Sequence, residues 1–308
     1  MPNEPDDLTI AWRTIELAGT LRVPPGDGPH PLMLMLQGSG RADRNSGGYF
    51  DGIRRAFLDR GIATFSADKP GCGASTGDWR EHDLAARADQ AVAVLDVLAG
   101  RPELDPRRFA VWGQSQGGWI VQQIAARHAP LAAAIANSGP SIGVVEQDLY
   151  AHEHVRRAAG FADDDVGEAL ALTERLHDAA RRGVEFDELV RRELRWVEDR
   201  PWYRAAPIVD DALDWELFRR FVDEAYDPVA ALGSIACPFL AVFGGCDVLL
   251  PAWGCAEEAG RALARSSQPD VSVVVFPTGD HRIQTDGAFV DGYLDLLGTW
   301  AAARLSAG

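Results

Sequence analysis

Gly113-Gln114-Ser115-Gln116-Gly117 stands between two segments of different periodicity. Before it runs an apolar stretch, Phe109-Ala110-Val111-Trp112, and after it an amphipathic one, from Trp119-Ile120-Val121 through Ala126. The pattern predicts a strand, a tight turn and a helix, with Ser115 presented by the turn at the top of a sheet. Such a turn strains the backbone of its central residue, and small residues on either side let strand and helix approach closely. The helix start directs free N–H groups and the positive end of its dipole at whatever reacts beside Ser115.

The rest of the chain extends this alternation. Residues 8–13 and 15–23 read as an antiparallel hairpin, 31–36 as a strand buried on both faces, 49–59 as a helix stopping at Arg60-Gly61, and 62–66 as a short strand. Residues 84–98 form a long helical pattern closed by Gly100 and Pro102, and 131–136 another buried strand. The rhythm changes after Pro140. From 141 to 227 there is no convincing strand, only charged helical patterns. One opens at Asp163-Asp164-Asp165 and runs to Arg182. A second carries an apolar stripe of Phe186, Leu189, Val190, Leu194 and Val197, and a third covers 210–226. Alternation resumes with a strand at 238–243, a helix at 253–265, a strand at 271–276 and a terminal helix at 289–305. The expected fold class is α/β: a mainly parallel sheet with helices on both faces, built from 1–140 and 228–308, with 141–227 inserted as a helical block.

Composition narrows the partners. A formal net charge of -16 and a pI near 4.8 offer no basic patch for nucleic acid. No apolar stretch approaches the roughly 20 residues that span a bilayer, and Met1-Pro2-Asn3-Glu4-Pro5-Asp6-Asp7 has neither the basic nor the apolar region of a signal peptide. The cysteines Cys72, Cys237, Cys246 and Cys255 have no CxxC spacing, so free thiols in a reducing cytoplasm are expected. A homodimer is left open.

A serine hydroxyl becomes a useful nucleophile when a base takes its proton, and a histidine base needs a carboxylate to fix its tautomer and stabilise its cation. Both types lie downstream of Ser115, each just past a strand: Asp247 in Phe243-Gly244-Gly245-Cys246-Asp247, and His281 in Phe276-Pro277-Thr278-Gly279-Asp280-His281. Strand carboxyl ends are where α/β sheets bind ligands. Asp280 adjoins His281, but neighbouring side chains diverge, so Asp247 is the expected acid. An oxyanion hole needs two N–H donors. Gln116 supplies one from the backbone after the nucleophile, and Ser39, in the loop Gln37-Gly38-Ser39-Gly40, supplies the other.

With these residues in place the chain resembles the α/β-hydrolase superfamily, and within it the serine esterase and acyl-peptidase-like branch. The matching segments are Gln37-Gly38-Ser39-Gly40, Asp68-Lys69-Pro70-Gly71-Cys72-Gly73-Ala74-Ser75, Gly113-Gln114-Ser115-Gln116-Gly117-Gly118, Gly245-Cys246-Asp247 and Gly279-Asp280-His281. The resemblance implies an eight-stranded sheet, a helical cap over 141–227, and cofactor-free cleavage of a small-molecule acyl substrate through an acyl-enzyme. An ester is the first expectation. A peptide or amide, a thioester, acyl transfer or cyclisation, and a hydrolase-like binding protein are the alternatives. Some relatives carry the acid one strand earlier, where this chain has Asn137-Ser138-Gly139-Pro140-Ser141 and no carboxylate. The loop before the oxyanion donor often begins His-Gly in the family; Gln37-Gly38 stands here, without consequence for a backbone donor.

Other motifs have plainer readings. Gly38-Ser39-Gly40-Arg41 lacks the Lys-Ser/Thr ending of a phosphate loop. His152-Glu153-His154 places its histidines on diverging sides of a helix, so no metal site is expected. Of the aromatic residues Trp196, Trp202, Tyr203, Trp215, Phe218 and Tyr226, most should be core. Trp202 and Tyr203 are expected to line the substrate pocket.

Overall fold

The structure is a computed structural model that describes residues 5–127, 131–223 and 226–306. The hairpin of β1 (Asp6–Trp12) and β2 (Ile15–Arg22) pairs antiparallel from Asp6 opposite Leu21 to Trp12 opposite Ile15. β2 then pairs antiparallel with β4 (Ala63–Ala67). The remaining pairings of this sheet are parallel: β4 with β3 (His30–Leu36), β3 with β5 (Leu104–Gln114), β5 with β6 (Ala133–Asn137), β6 with β7 (Phe239–Gly244) and β7 with β8 (Val271–Phe276). The order across the sheet is β1-β2-β4-β3-β5-β6-β7-β8, the eight-stranded, mainly parallel arrangement expected.

Alternating side chains divide the central strands between two faces. Met33 and Met35 of β3, Trp112 of β5, Ile135 of β6 and Val242 of β7 share a core with α1 (Phe50–Leu58) and α11 (Tyr293–Leu305). Their neighbours Leu32, Leu34, Val111 and Ala134 are equally buried and turn to the other face, beneath α2 (Leu84–Leu98) and α3 (Gln116–Arg127). Burial on both faces is why β3 reads as one unbroken apolar run. The α2 helix starts where Asp83 accepts the Ala86 N–H at 2.7 Å, and it buries Leu84, Ala88, Ala91, Val94, Leu95 and Leu98, one stripe at helical spacing. A small hairpin, β9 (Gln284–Thr285) with β10 (Ala288–Phe289), ends on Phe289, the first residue of the segment expected to be terminal helix. Phe289 packs instead against Tyr49 and Tyr293, at 5.6 and 5.5 Å between ring centroids, and the helix begins after Gly292 at φ +82°.

Two compact units divide the chain. The first holds the described residues up to Ser141, then Pro228–Cys246, then the described residues from Ala252 onward, and includes the sheet, α9 (Pro228–Leu232) and α10 (Ala252–Leu263). The second holds Ile142–Asp227 and Asp247–Pro251. Its helices are α4 (Val144–Ala158), α5 (Asp163–Arg181), α6 (Phe186–Arg192), α7 (Pro201–Ala205) and α8 (Ala212–Asp223). They gather around Leu172, Leu176, Leu189, Leu194, Trp202 and Trp215. The acidic triplet lies inside the first turn of α5, after Ala162 at the N-cap, where carboxylates favour the helix dipole. Trp196, by contrast with the expected core aromatics, is 66% exposed.

Candidate active site

Ser115 joins β5 to α3 at φ +57°. Its N–H donates to the Asn137 carbonyl at 2.9 Å and its carbonyl accepts the Gly118 N–H at 2.7 Å, so the turn is fixed on both sides. The surrounding glycines are steric necessities. A Cβ on Gly113 would lie 2.3 Å from the Gly117 carbonyl oxygen, and one on Gly117 would lie 2.6 Å from that of Leu36. Strand and helix therefore touch backbone to backbone, which places the N-terminus of α3 beside the serine.

The loop after β3 reaches the same point. A Cβ on Gly38 would sit 3.1 Å from the Ser115 Cβ and 2.7 Å from Gln114 Oε1. Ser39 follows, exposed, and Gln116, directly after the serine, is buried. The side chain of Gln37 ties the loop down, donating through Nε2 to the carbonyls of Ala67 (2.6 Å) and Asp43 (3.0 Å). Two cations complete the anchorage. Lys69 Nζ donates to the carbonyls of Gly38 and Gly40, the latter at 2.7 Å. Arg87, on α2, donates to Gln116 Oε1 and to the Gln37 carbonyl at 3.3 Å. Burial, reinforced by the charge of Arg87 and opposed by the Cys72 thiol, holds the Lys69 ammonium well below the ordinary lysine range. Burial alone brings Arg87 down to about 10. The neighbouring Asp68 is committed elsewhere, to the Arg44 guanidinium at 2.7 Å and the Ala74 N–H at 2.9 Å. Gly73 is required there because a Cβ would fall 2.2 Å from Asp68 Oδ2.

His281 is half-buried in the loop after β8. That loop and the end of β7 are zipped together: Gly245 N–H donates to Phe276 O at 2.7 Å and Cys246 N–H to Gly279 O at 2.8 Å. A Cβ on Gly244 would lie 2.0 Å from the Asp280 carbonyl. The residues just before Asp247 and just before His281 thus share one contact. Asp280 serves the loop itself, since its Oδ1 accepts the N–H groups of Arg282 (2.7 Å) and Gln284 (2.9 Å). Asp247 is buried and opens the short segment of the second unit, where its Oδ1 accepts the Leu249 N–H at 2.7 Å.

A buried polar relay connects the histidine loop to the serine turn. Tyr49 donates to the Arg282 carbonyl at 3.1 Å, Asn137 Nδ2 to Tyr49 at 3.5 Å, and Tyr293 to Asn137 Oδ1 at 2.8 Å. The Asn137 carbonyl is the acceptor of the Ser115 N–H. Burial pushes both phenols above the ordinary tyrosine range, so they act as neutral hydrogen-bonding groups.

The structure thus brings Ser115, Gln116 and the Ser39 loop together and ties the His281 loop to them. Trp202 and Tyr203 lie in the core of the helical unit. Trp202 is 0% exposed, donates to Glu168 Oε2 at 3.2 Å and packs edge-on against Tyr203, whose hydroxyl donates to the Val209 carbonyl at 2.8 Å. Both build the interior of the helical unit, because a unit of charged helices needs large apolar groups for a core of its own. Lys69, Arg87, Tyr49 and Tyr293 had no functional reading from sequence. Among the described residues no group of three or more His, Cys, Asp or Glu could hold a metal, and none of the described helices is long and apolar enough to cross a membrane.

Comparison with known proteins agrees with the geometry. The family described as serine aminopeptidase, S33 matches residues 32–288. Esterase FrsA of Escherichia coli (O1:K1 / APEC) is 29% identical over 178 residues, 58% of this chain and 38% of that protein, so the match takes in well under half the relative's length. Among solved structures, the Pyrococcus furiosus esterase Pf2001 superposes with a TM-score of 0.66 at 16% identity, covering 98% of this chain and 92% of that one. A proline iminopeptidase of Mycobacterium smegmatis gives 0.64 at 18% identity over 97% and 99%. 2,6-Dihydroxy-pseudo-oxynicotine hydrolase gives 0.63 at 21% over 99% and 69%.

Proposed function

The chain belongs to the serine aminopeptidase S33 family of α/β-hydrolases, and from that premise we propose that it cleaves a carboxylic ester of a small acyl substrate through an acyl-enzyme on Ser115. The observation that carries the proposal is the serine turn itself: a non-glycine residue held at φ +57° at a helix N-terminus, with a glycine loop packed against its Cβ. A strained, glycine-cleared serine of this kind has a chemical use and a structural cost.

In the proposed reaction His281 takes the Ser115 proton as the hydroxyl oxygen attacks the acyl carbonyl, and Asp247 stabilises the resulting imidazolium. The oxyanion of the tetrahedral intermediate is met by the N–H groups of Gln116 and Ser39. His281 returns its proton to the leaving alcohol as the C–O bond breaks. Water, activated by the same histidine, then releases the acid. In this reading residues 141–227 select the acyl group. Ester cleavage is favoured over amide cleavage because an alkoxide leaves with less assistance than an amine, and because Esterase FrsA and Pf2001 are named as esterases. The family's description as an aminopeptidase and the iminopeptidase likeness support a second reading, hydrolysis of a peptide bond beside a free amine.

A panel of short p-nitrophenyl esters and aminoacyl p-nitroanilides separates the two readings. Ser115→Ala is expected to abolish turnover and labelling by a fluorophosphonate probe while leaving the circular dichroism spectrum intact. Turnover retained by that variant would remove Ser115 from the mechanism. Turnover of the anilides alone would replace the ester reading with the peptidase one.

A further inference from the structure

We propose that Lys69 is a positioning residue for the oxyanion hole: its ammonium grips the Gly38 carbonyl, which turns the Ser39 N–H of the same peptide toward the developing negative charge and strengthens it as a donor. The inference rests on the reading of Ser115 and Ser39 given above.

The argument is one of peptide geometry. In a trans peptide the carbonyl of one residue and the N–H of the next point in opposite directions. Among the described residues the cis peptide bond is Gly28-Pro29, so the peptides of this loop are trans. Lys69 Nζ donates to the Gly38 oxygen, so the Ser39 N–H faces away from Lys69. Arg87 does the same to the preceding peptide through the Gln37 oxygen, and Lys69 holds the Gly40 oxygen beyond. The carbonyls of residues 37, 38 and 40 are thus all gripped by cations. Glycine at 38 and 40, the latter at φ +73°, would otherwise leave the loop free to rotate its peptides. A cation on a carbonyl oxygen also draws electron density from the peptide and makes its N–H a better donor, an effect enlarged where water is scarce. Lys69 is 4% exposed and borders a small pocket walled by Leu17, Leu34, Phe65 and Ile120.

Burying an ammonium against neutral carbonyls is costly, and a neutral donor would fix a turn at lower cost. The charge is what a developing oxyanion on the far side of the peptide responds to. Arg87 acts on the other donor, since it holds the side chain of Gln116. The charged and titratable groups that act on Lys69 are Arg87, from α2, and the Cys72 thiol of its own loop.

The test compares wild type with Lys69→Met, which keeps the length and removes the charge, and Lys69→Arg, which keeps the charge. Readouts are kcat and KM on a p-nitrophenyl ester, inhibition by a trifluoromethyl ketone that forms a tetrahedral oxyanion on serine, and the rate of fluorophosphonate labelling. Lys69→Met is expected to lower kcat by about 10- to 100-fold with KM within about twofold, and to weaken the ketone in parallel. Lys69→Arg is expected to recover part of kcat. In wild type, kcat falls as pH rises, before the ordinary lysine value of 10.5 is reached, because a neutral amine no longer polarises the peptide. A folded Lys69→Met with wild-type kcat overturns the proposal. If that variant does not fold, a wild-type kcat that stays level to pH 10.5 overturns it instead. Wild-type protein left unlabelled at Ser115 would strike the hydrolase reading itself, an outcome distinct from normal labelling that ignores position 69.

Discussion

At Ser115 the side chain and the backbone make opposite demands. The hydroxyl is wanted for chemistry, but the φ of +57° suits glycine, and a left-handed conformation costs an L-residue roughly 1 kcal/mol. Ser115→Gly should therefore be more stable than Ser115→Ala by about 1 kcal/mol, less the extra entropy of glycine in the unfolded chain. Both should be inactive. Urea denaturation of the pair measures the difference, and an alanine variant as stable as the glycine one would mean the turn carries no such strain. Gly38 makes the complementary case. Gly38→Ala adds a methyl 3.1 Å from the Ser115 Cβ and 2.7 Å from Gln114 Oε1. The long Gln114 side chain can give way; the serine cannot without moving its oxygen. A roughly tenfold or larger loss of kcat/KM is expected with little change in melting temperature.

Elements differ in how openly the sequence announces them. The serine turn was legible because backbone contact leaves only glycine at 113 and 117, and the central strands because burial on both faces makes them unbroken apolar runs. The helix at 84–98 was legible from its spacing and from Gly100 and Pro102 beyond it. The start of α11 was not, because Phe289 continues the apolar spacing while its ring is claimed by Tyr49 and Tyr293. That Trp202 and Tyr203 join a core was not legible, because the packing of a charged segment shows only once its helices are assembled. The clamp of Lys69 and Arg87 was out of reach for a related reason. A charged residue on a helix or loop is usually solvated, and its burial is decided by segments distant in sequence.

The helical unit has its own internal polar element. Asp148 on α4 accepts from His177 of α5 at 2.9 Å and faces His152 at 3.3 Å. Burial works to raise its carboxyl, but the hydrogen bonds from His152 and His177 outweigh it and bring the group to about 2. A carboxylate depressed in this way stabilises the fold above its unfolded value, near 3.8, and that stabilisation is lost as pH falls from there toward about 2. Asp148→Asn should accordingly lower stability at neutral pH by about 1–3 kcal/mol and flatten the acid limb over that window, read by helical circular dichroism. A parallel acid limb in variant and wild type would exclude the role.

At the scale of the whole molecule, the buried Lys69 sets folding and turnover on opposite courses in alkali. Its proton affinity is lower in the folded chain than in the unfolded one, where it is that of an ordinary lysine near 10.5. Between those two values the unfolded chain binds the extra proton, so this group's contribution to stability rises with pH. Over the same interval the oxyanion donor it supports is weakened. The gap in urea midpoint between wild type and Lys69→Met should therefore move in favour of wild type as pH climbs, while wild-type turnover declines. A decline of that origin is a resting state of an intact fold: activity should return in full on neutralisation, without any refolding step.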